Sequence, residues 1–173
     1  LLIAGLALLS AGIPLYMASG STSEPLPKLV GKAAPAFTVK TLDGHTISLA
    51  GYRGKALLVN FWATWCGECL LEMPRLAQLR QEYAGQGFEV LGVLTDDASP
   101  EKVRTILRKN GVSYPIALCN HATARKYGGL PYLPVSFYIG RDGKVVDEAA
   151  GAASKAEIES KIRETLAASE FHR

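Results

Sequence analysis

The residues best suited to chemistry in this sequence are two cysteines three positions apart, in the run Trp65-Cys66-Gly67-Glu68-Cys69. A continuous apolar run precedes them and apolar residues at helical spacing follow, which predicts Cys66 at the amino end of a helix. Unpaired backbone N–H groups and the positive end of the helix dipole lower the pKa of a cysteine there from about 8.5. Cys69, one turn further, is within disulfide reach but less exposed. The spacing therefore predicts an attacking thiol and a resolving thiol, as thiol–disulfide exchange requires.

Two structural explanations compete with that chemistry, namely half of a zinc site and a static disulfide. Zinc needs four ligands, and Cys119 with His121 would complete a Cys3His set. The Cys-x-His spacing is atypical for the second half of such a site, which favours exchange. A metal-binding module that uses Cys66, Cys69, Cys119 and His121, for zinc or copper, stays as the non-enzymatic alternative. Cys119 by itself is typical of an inert buried thiol.

The elements that position the pair alternate between strand and helix. The patterns predict a hairpin over residues 37–49, strands at 56–62, 88–95, 135–139 and 144–149, and helices at 68–83, 100–109, 123–127 and 154–168. The run over 114–118 is also strand-like. In the first helix the apolar face is predicted to hold Leu70, Leu71, Leu76, Leu79 and Tyr83. The alternation indicates right-handed βαβ units, hence an α/β domain with a central mixed sheet flanked by helices.

The beginning of the chain differs from the rest. Residues 1–23 contain no Asp, Glu, Lys or Arg, so all 19 basic and 16 acidic side chains lie further on. Residues 1–18 (LLIAGLALLSAGIPLYMA) approach the roughly 20 apolar residues of a membrane-spanning helix. We interpret them as a transmembrane anchor or a cleaved signal segment, with a buried core helix as the third alternative. Residues 19–32 read as a flexible linker and 33–173 as the folded domain, placed outside the cytoplasm by both leading interpretations.

Composition excludes several classes of protein. A length of 173 residues fits one domain after the apolar segment is set apart. The formal net charge of +3, with no run of Lys and Arg interleaved with aromatics, gives no reason to expect nucleic acid as a partner. Three cysteines are too few for a disulfide-dense scaffold.

Together these motifs resemble the thioredoxin superfamily, and more narrowly the membrane-tethered TlpA/ResA/CcmG-like reductases. The residues that carry the resemblance are Phe61-Trp62-Ala63-Thr64-Trp65-Cys66-x-x-Cys69 with Pro74, Leu133-Pro134-Val135-Ser136-Phe137, Arg141-Asp142-Gly143, and the opening Gly31-Lys32-x-Ala34-Pro35-x-Phe37. The last stretch is shared with peroxiredoxins. A peroxidase is excluded because Thr64 is two rather than three residues before the cysteine and Val59 takes the place of the required proline. The resemblance implies a thioredoxin-like fold with an amino-terminal β-hairpin extension.

The resemblance also implies where a substrate binds. Pro134 occupies the position of a cis proline that faces the active disulfide, and the neighbouring backbone at Leu133 would pair with an extended substrate strand. The alternatives for Pro134 are an ordinary proline at the start of a strand, or Pro131 in the cis role. Trp65, and Trp62 with it, would flank the docking groove.

Proton handling near Cys69 is the second role that the resemblance implies. Thioredoxin has an Asp on the strand before the motif, but this chain has Asn60, which cannot titrate. Glu72 stands where the ResA-like branch carries a functional glutamate, on the same helical face as Cys69; the alternative is a solvated surface side chain. Glu68 departs from the family pattern and would oppose the helix dipole if its carboxylate pointed inward.

The function expected from the sequence is therefore a protein thiol–disulfide oxidoreductase that acts as a reductant, in the periplasm or on the outer face of the cytoplasmic membrane. Cys66 attacks, Cys69 resolves, Glu72 manages the proton, and no dissociable cofactor is needed. The resemblance implies apocytochrome c or a copper-assembly protein as the disulfide-bearing substrate, and a membrane thiol carrier as electron donor. The alternative enzyme is a general oxidase or isomerase of secreted proteins.

Overall fold

The computed structural model describes residues 28–168. The apolar segment predicted over 1–18 and most of the predicted linker lie outside the described residues. Residues 29–32, at the end of that linker, form a turn joined to the domain by hydrogen bonds, including one of 2.8 Å from the Gly31 N–H to the Val145 carbonyl. Between residues 28 and 168 no helix has the length and apolarity needed to cross a membrane.

Within residues 28–168, seven strands and four α-helices follow one another in the predicted order. The strands are β1 (Thr38–Lys40), β2 (Thr46–Ser48), β3 (Ala56–Trp62), β4 (Phe88–Leu94), β5 (Ile116–Leu118), β6 (Val135–Ile139) and β7 (Val145–Ala150). The helices are α1 (Gly67–Tyr83), α2 (Pro100–Lys109), α3 (His121–Lys126) and α4 (Lys155–Ala168). The predicted hairpin is confirmed as the antiparallel pair β1–β2. The third helix begins two residues earlier than predicted because the Asn120 side chain caps it, accepting from the Thr123 N–H at 2.8 Å.

A five-stranded mixed sheet forms the centre, in the order β5-β4-β3-β6-β7. The strands β3, β4 and β5 are parallel, β6 runs antiparallel to β3, and β7 runs antiparallel to β6 and therefore in the direction of β3. Every residue of β3 is buried, since its alternate side chains enter two hydrophobic clusters on opposite faces of the sheet. This explains why its sequence is continuously apolar rather than alternating. The expected thioredoxin-like arrangement, a mixed sheet with an amino-terminal hairpin, is confirmed.

The predicted apolar face of α1 was wrong in one respect. Leu71 is 66% exposed, whereas Met73 is buried at 1%. At 100° per residue, Leu71 lies about 200° around the helix from Cys69 and therefore on the opposite side from the core. Which side of α1 faces the core depends on how the helix is rotated about its axis where it begins after Cys66. The spacing of the leucines alone does not give that rotation.

Gly92 in the middle of β4 offers a test of the packing around the central sheet. A Cβ at this position would lie 2.6 Å from the Ile116 Cδ1, 3.1 Å from the Tyr114 Cε2 and 3.3 Å from the Trp62 Nε1. We expect Gly92→Ala to lower the free energy of unfolding by about 1–3 kcal/mol, the usual cost of overpacking a core. Urea unfolding measures it. Gly85→Ala, where the added Cβ meets nothing within 4 Å, is the matched control, and an equal loss in both variants would contradict the packing argument.

Candidate functional site

The two cysteines lie where the carboxyl end of β3 meets the amino end of α1. Cys66 is the N-cap residue of α1, as predicted, and its Sγ accepts from the Cys69 N–H at 3.2 Å. The structure holds the two residues as a disulfide. Cys66 is 7% exposed and Cys69 is 2% exposed. A helix N–H aimed at the Cys66 sulfur stabilises negative charge there once the disulfide is reduced, so Cys66 is the sulfur placed to become a reactive thiolate.

The loop before Cys66 is held by the end of the neighbouring strand β4. The Thr95 N–H and hydroxyl donate to the Trp62 carbonyl at 2.9 and 3.0 Å. The carboxylate of Asp96 accepts from the Thr64 N–H at 3.2 Å and from the Thr64 hydroxyl at 2.6 Å. Sequence reasoning missed this clamp. The signal available was the Thr95-Asp96 pair at the end of a strand predicted to lie beside β3.

Glu72 is a buried carboxyl one helical turn beyond Cys69. Its side chain is 3% exposed, which excludes the surface alternative. The Asn60 Nδ2 donates to Glu72 Oε2 at 3.0 Å and also to Ser136 Oγ at 3.0 Å, while the Ala153 N–H donates to Glu72 Oε1 at 3.1 Å. Asn60 on β3 therefore orients the carboxyl rather than titrating itself. Ser136 and Ala153 were not singled out from the sequence, because they reach Glu72 only through the folding of β6 and of the loop after β7.

Burial raises the pKa of Glu72 above its ordinary value, and the hydrogen bonds from Ala153 and Asn60 and the charge of Arg75 oppose that rise in part. The Arg75 Nη1 donates to the Ala153 carbonyl at 2.7 Å, so Arg75 and Glu72, three residues apart on α1, bind the two sides of the same residue. A carboxyl with a raised pKa holds and releases a proton closer to neutral pH than an exposed one does.

Pro134 lies at the same end of the sheet as the disulfide. The Leu133–Pro134 peptide bond is cis, as the resemblance implied, whereas the alternative at Pro131 is wrong. Pro134 precedes β6 directly, and the register pairs Val135 with Phe61, which puts Pro134 level with the end of β3. The Pro134 carbonyl accepts from the Gly151 N–H at 2.9 Å. Leu133 packs against the hydrophobic cluster that contains both cysteines.

Trp65, the residue before Cys66, is 72% exposed. The prediction that Trp62 flanks the docking groove with it was wrong, because Trp62 is 1% exposed and packs in the hydrophobic core. A large aromatic side chain in solvent beside a reactive sulfur is typical of a surface that binds a partner. Glu68 is exposed as well. Because a solvated carboxylate is strongly screened, its opposition to the helix dipole is small.

The structure does not bring the third cysteine into the site. Cys119 follows β5, its Sγ contacts the Asn120 carbonyl at 3.6 Å, and burial raises the pKa of its thiol. Within residues 28–168, which include all four proposed ligands, no three His, Cys, Asp or Glu side chains lie close enough to share a metal ion. The metal module built from Cys66, Cys69, Cys119 and His121 is therefore not supported by their placement.

Comparison with known proteins agrees with this geometry. Residues 30–148 match the model of the AhpC/TSA family. The thiol–disulfide oxidoreductase ResA of Bacillus cereus is 33% identical over 154 residues, which cover 89% of this chain and 87% of that protein. A thiol:disulfide interchange protein of the thioredoxin family from Chlorobium tepidum is 31% identical with a TM-score of 0.70, over 78% of this chain and 95% of that one. A secreted disulfide oxidoreductase of Mycobacterium tuberculosis, 23% identical, shares the fold with a TM-score of 0.63, over 73% of this chain and 94% of that one.

Proposed function

Because the chain belongs to the AhpC/TSA family and is a thiol–disulfide oxidoreductase related to ResA, we propose that it reduces disulfides of partner proteins outside the cytoplasm. The observation that carries the proposal is the buried Glu72 one turn from Cys69, beside the Cys66–Cys69 disulfide at a helix amino end. The apolar segment over residues 1–18 supports the location, as does the secreted relative with the same fold.

The first step uses the reduced dithiol. The Cys66 thiolate attacks one sulfur of the substrate disulfide, so a mixed disulfide forms between Cys66 and the substrate while the second substrate sulfur leaves as a thiolate. The Cys69 N–H at the Cys66 sulfur and the positive end of the α1 dipole favour the thiolate before attack. The Asp96 clamp on Thr64 keeps the loop in place during the exchange.

The second step releases the substrate. Glu72 takes the proton from the Cys69 thiol, and the resulting thiolate attacks the Cys66 sulfur of the mixed disulfide. The first substrate sulfur leaves as a thiolate, and the substrate becomes a dithiol by taking up the proton held by Glu72 and one from water. The Cys66–Cys69 disulfide carries the two-electron oxidation. Because the compartment outside the cytoplasm is oxidising, electrons for the next cycle must come from a donor, for which a membrane thiol carrier is our proposal.

Substrate docking is assigned to the surface around Cys66. Trp65 supplies an exposed aromatic contact, and the backbone at Leu133 and Pro134 lies beside the end of β3. This surface suits an extended segment with two nearby cysteines, whose backbone would lie along Leu133 and Pro134. The Cys-x-x-Cys-His of apocytochrome c and the cysteines of a copper-assembly protein are segments of this kind. Residues 1–18 would tether the enzyme near its membrane donor.

Trp65→Ala is expected to weaken substrate binding without weakening the fold. An exposed aromatic at the centre of an interface contributes about 2 kcal/mol or more, so KM for a disulfide peptide should rise roughly thirtyfold. Urea unfolding should be unchanged, because the side chain is 72% exposed. Leu71→Ala, which removes an equally exposed apolar side chain from α1, is the control, and an equal rise in KM there would contradict a specific role for Trp65.

The reduction potential tests the direction of the reaction. A reductant should equilibrate with glutathione or thioredoxin at a potential well below −200 mV, whereas a strong oxidant would lie near about −120 mV. The second value would overturn the proposal in favour of the general oxidase or isomerase. In the same preparation, the reduced protein should convert an oxidised Cys-x-x-Cys-His peptide to its dithiol, with one equivalent of the Cys66–Cys69 disulfide formed per peptide.

A further inference from the structure

Basic side chains from three separate parts of the sequence meet at the end of the sheet opposite the cysteines. We call this surface the basic end, and it is formed by Lys28, Lys32, Arg53, Lys55, Arg141 and Lys144. The segment before β3 joins the turn between β6 and β7 through a 3.2 Å bond from the Gly54 N–H to the Arg141 carbonyl. The amino-terminal turn joins the same β6–β7 turn through a 2.9 Å bond from the Ala34 N–H to the Gly143 carbonyl. These contacts place the six cations around one surface.

The basic end is exposed and carries few compensating acids. Arg141 is partly buried, and the other five side chains are exposed. Asp142 pairs with Lys144 at 3.4 Å, and Glu148 accepts from the Leu29 N–H at 3.2 Å. Glu89, near the start of β4, pairs with Arg80 and interacts electrostatically with Lys55. The basic end thus has six of the 19 basic residues of the chain beside three of its 16 acidic residues. A chain with a net charge of only +3 therefore concentrates positive charge at one end.

An apolar side chain projects from the same surface. Val30 is 52% exposed at a turn closed by a 2.8 Å bond from the Lys32 N–H to the Leu29 carbonyl, with Lys28 and Lys32 on either side. An exposed aliphatic residue between two lysines suits the boundary between lipid headgroups and acyl chains, where the chain of each lysine lies along apolar surface and its amine stays in water.

The path of the chain brings this end close to the predicted tether. Nine residues separate the apolar segment over 1–18 from Lys28. Nine residues span at most about 30 Å when fully extended. The basic end consequently lies within that distance of any bilayer in which residues 1–18 are inserted, closer than the rest of the domain.

Three acidic residues lie at the opposite end of the domain. Glu68, Asp96 and Asp97 lie in the segments that follow β3 and β4, beside Cys66. The seven residues of β3 separate the two ends by roughly 20 Å. A domain with this charge distribution turns its basic end toward an anionic surface and its acidic end away from it.

We infer that the basic end docks on anionic phospholipid headgroups of the membrane that holds residues 1–18, with Val30 at the headgroup boundary. The occupant is a lipid surface rather than an acidic protein because the cations surround the point where the chain leaves for its predicted anchor. Docking turns Cys66 away from the bilayer, toward soluble substrates, and the domain leaves the surface on its tether when the proposed membrane donor reduces the disulfide. The inference rests on the tether in the proposed function and is independent of the redox chemistry.

The test reconstitutes the full chain into vesicles of phosphatidylcholine, with and without a third of phosphatidylglycerol, and follows amide hydrogen exchange by mass spectrometry. We expect exchange over residues 28–34 and 140–145 to slow at least about fivefold in the anionic vesicles, since one basic residue near such a surface contributes about that factor in affinity. Exchange around residues 63–69 should not change. Raising the salt to 1 M, where the Debye length is about 3 Å, should remove the protection.

Charge-neutralised variants separate this surface from net charge. Lys32→Gln with Arg53→Gln and Lys55→Gln should abolish the anionic-lipid protection, while Lys102→Gln with Arg108→Gln and Lys109→Gln, three exposed cations of α2, should retain it. The inference would be overturned if amide exchange were equal in the two vesicle types, or if both triple variants lost the protection equally. An acidic protein would then be the better candidate to bind the basic end. Flotation with neutral vesicles at 1 M salt reports separately on residues 1–18, so a failed tether and a failed docking surface give different results.

Discussion

Replacing the Cys66 sulfur by oxygen, in Cys66→Ser, is expected to reduce disulfide-reductase activity to the background of the assay, a loss on the order of 10³-fold or more. A serine hydroxyl stays protonated near neutral pH even with a helix N–H directed at it, whereas the thiol at this position becomes a thiolate. Insulin reduction, or reduction of an oxidised Cys-x-x-Cys-His peptide, provides the measurement.

Two further cysteine variants make the assignment specific. Cys69→Ser should retain the first attack and accumulate a covalent Cys66–substrate disulfide, visible as an adduct by mass spectrometry under non-reducing conditions. Cys119→Ser should keep nearly full activity, because Cys119 lies outside the site at the end of β5. Activity that survives in Cys66→Ser, or an adduct that forms on Cys69 instead of Cys66, would refute the order of attack.

The sequence predicted the parts of the fold that are specified locally. The buried strands β3 and β6 have the predicted bounds because their apolar runs are long and end at clear turn signals. The position of Cys66 as N-cap followed in the same way from a strand beside a helix. Leu71 was misplaced because it lies two residues, or about 200° around the helix, from the buried Cys69, and the leucine spacing alone does not give the phase of the helix.

The parts of the site that the sequence could not predict depend on contacts between distant segments. Asp96 reaches Thr64 from 32 residues away, and Ala153 reaches Glu72 from 81 residues away. Neither contact has a periodicity or a motif of its own. The basic end is a similar case, since its cations come from three loops and no short window of sequence holds more than two of them.

Because Asn60 cannot titrate, the proton handling that we propose for Cys69 rests on Glu72. The Asn60 amide donates to Glu72 Oε2 and to Ser136 Oγ. It therefore holds the Glu72 carboxyl in place without competing for the proton of Cys69. The Ala153 backbone and Arg75 complete the surroundings of Glu72. If Glu72 is the base for Cys69, its loss should therefore affect the resolving step and leave the first attack intact.

Glu72→Gln is accordingly expected to slow release of the substrate about 100-fold near neutral pH, the lower range of general-base contributions, while the rate of mixed-disulfide formation stays the same. Stopped-flow mixing with quenching and mass spectrometry separates the two steps. Raising the pH toward 9 should reduce the deficit, because hydroxide then removes the Cys69 proton without the carboxylate. A deficit that is independent of pH would indicate a merely structural role.

Although Glu72→Gln should slow substrate release, we expect it to stabilise the fold at higher pH. Since burial raises the folded-state pKa of Glu72, the folded protein binds more protons than the unfolded chain between the unfolded pKa, about 4.3, and the raised folded value. Stability from this group is thus complete below the unfolded pKa and is lost as pH rises through the folded pKa. Glu72→Gln removes that loss, so its stability relative to the native protein should increase with pH in urea unfolding. Arg75→Gln removes a charge that lowers the pKa of Glu72, so the free energy of unfolding of this variant should fall more steeply with pH than that of the native protein. If the difference in unfolding free energy from the native protein were independent of pH in both variants, the explanation by a buried carboxyl would be contradicted.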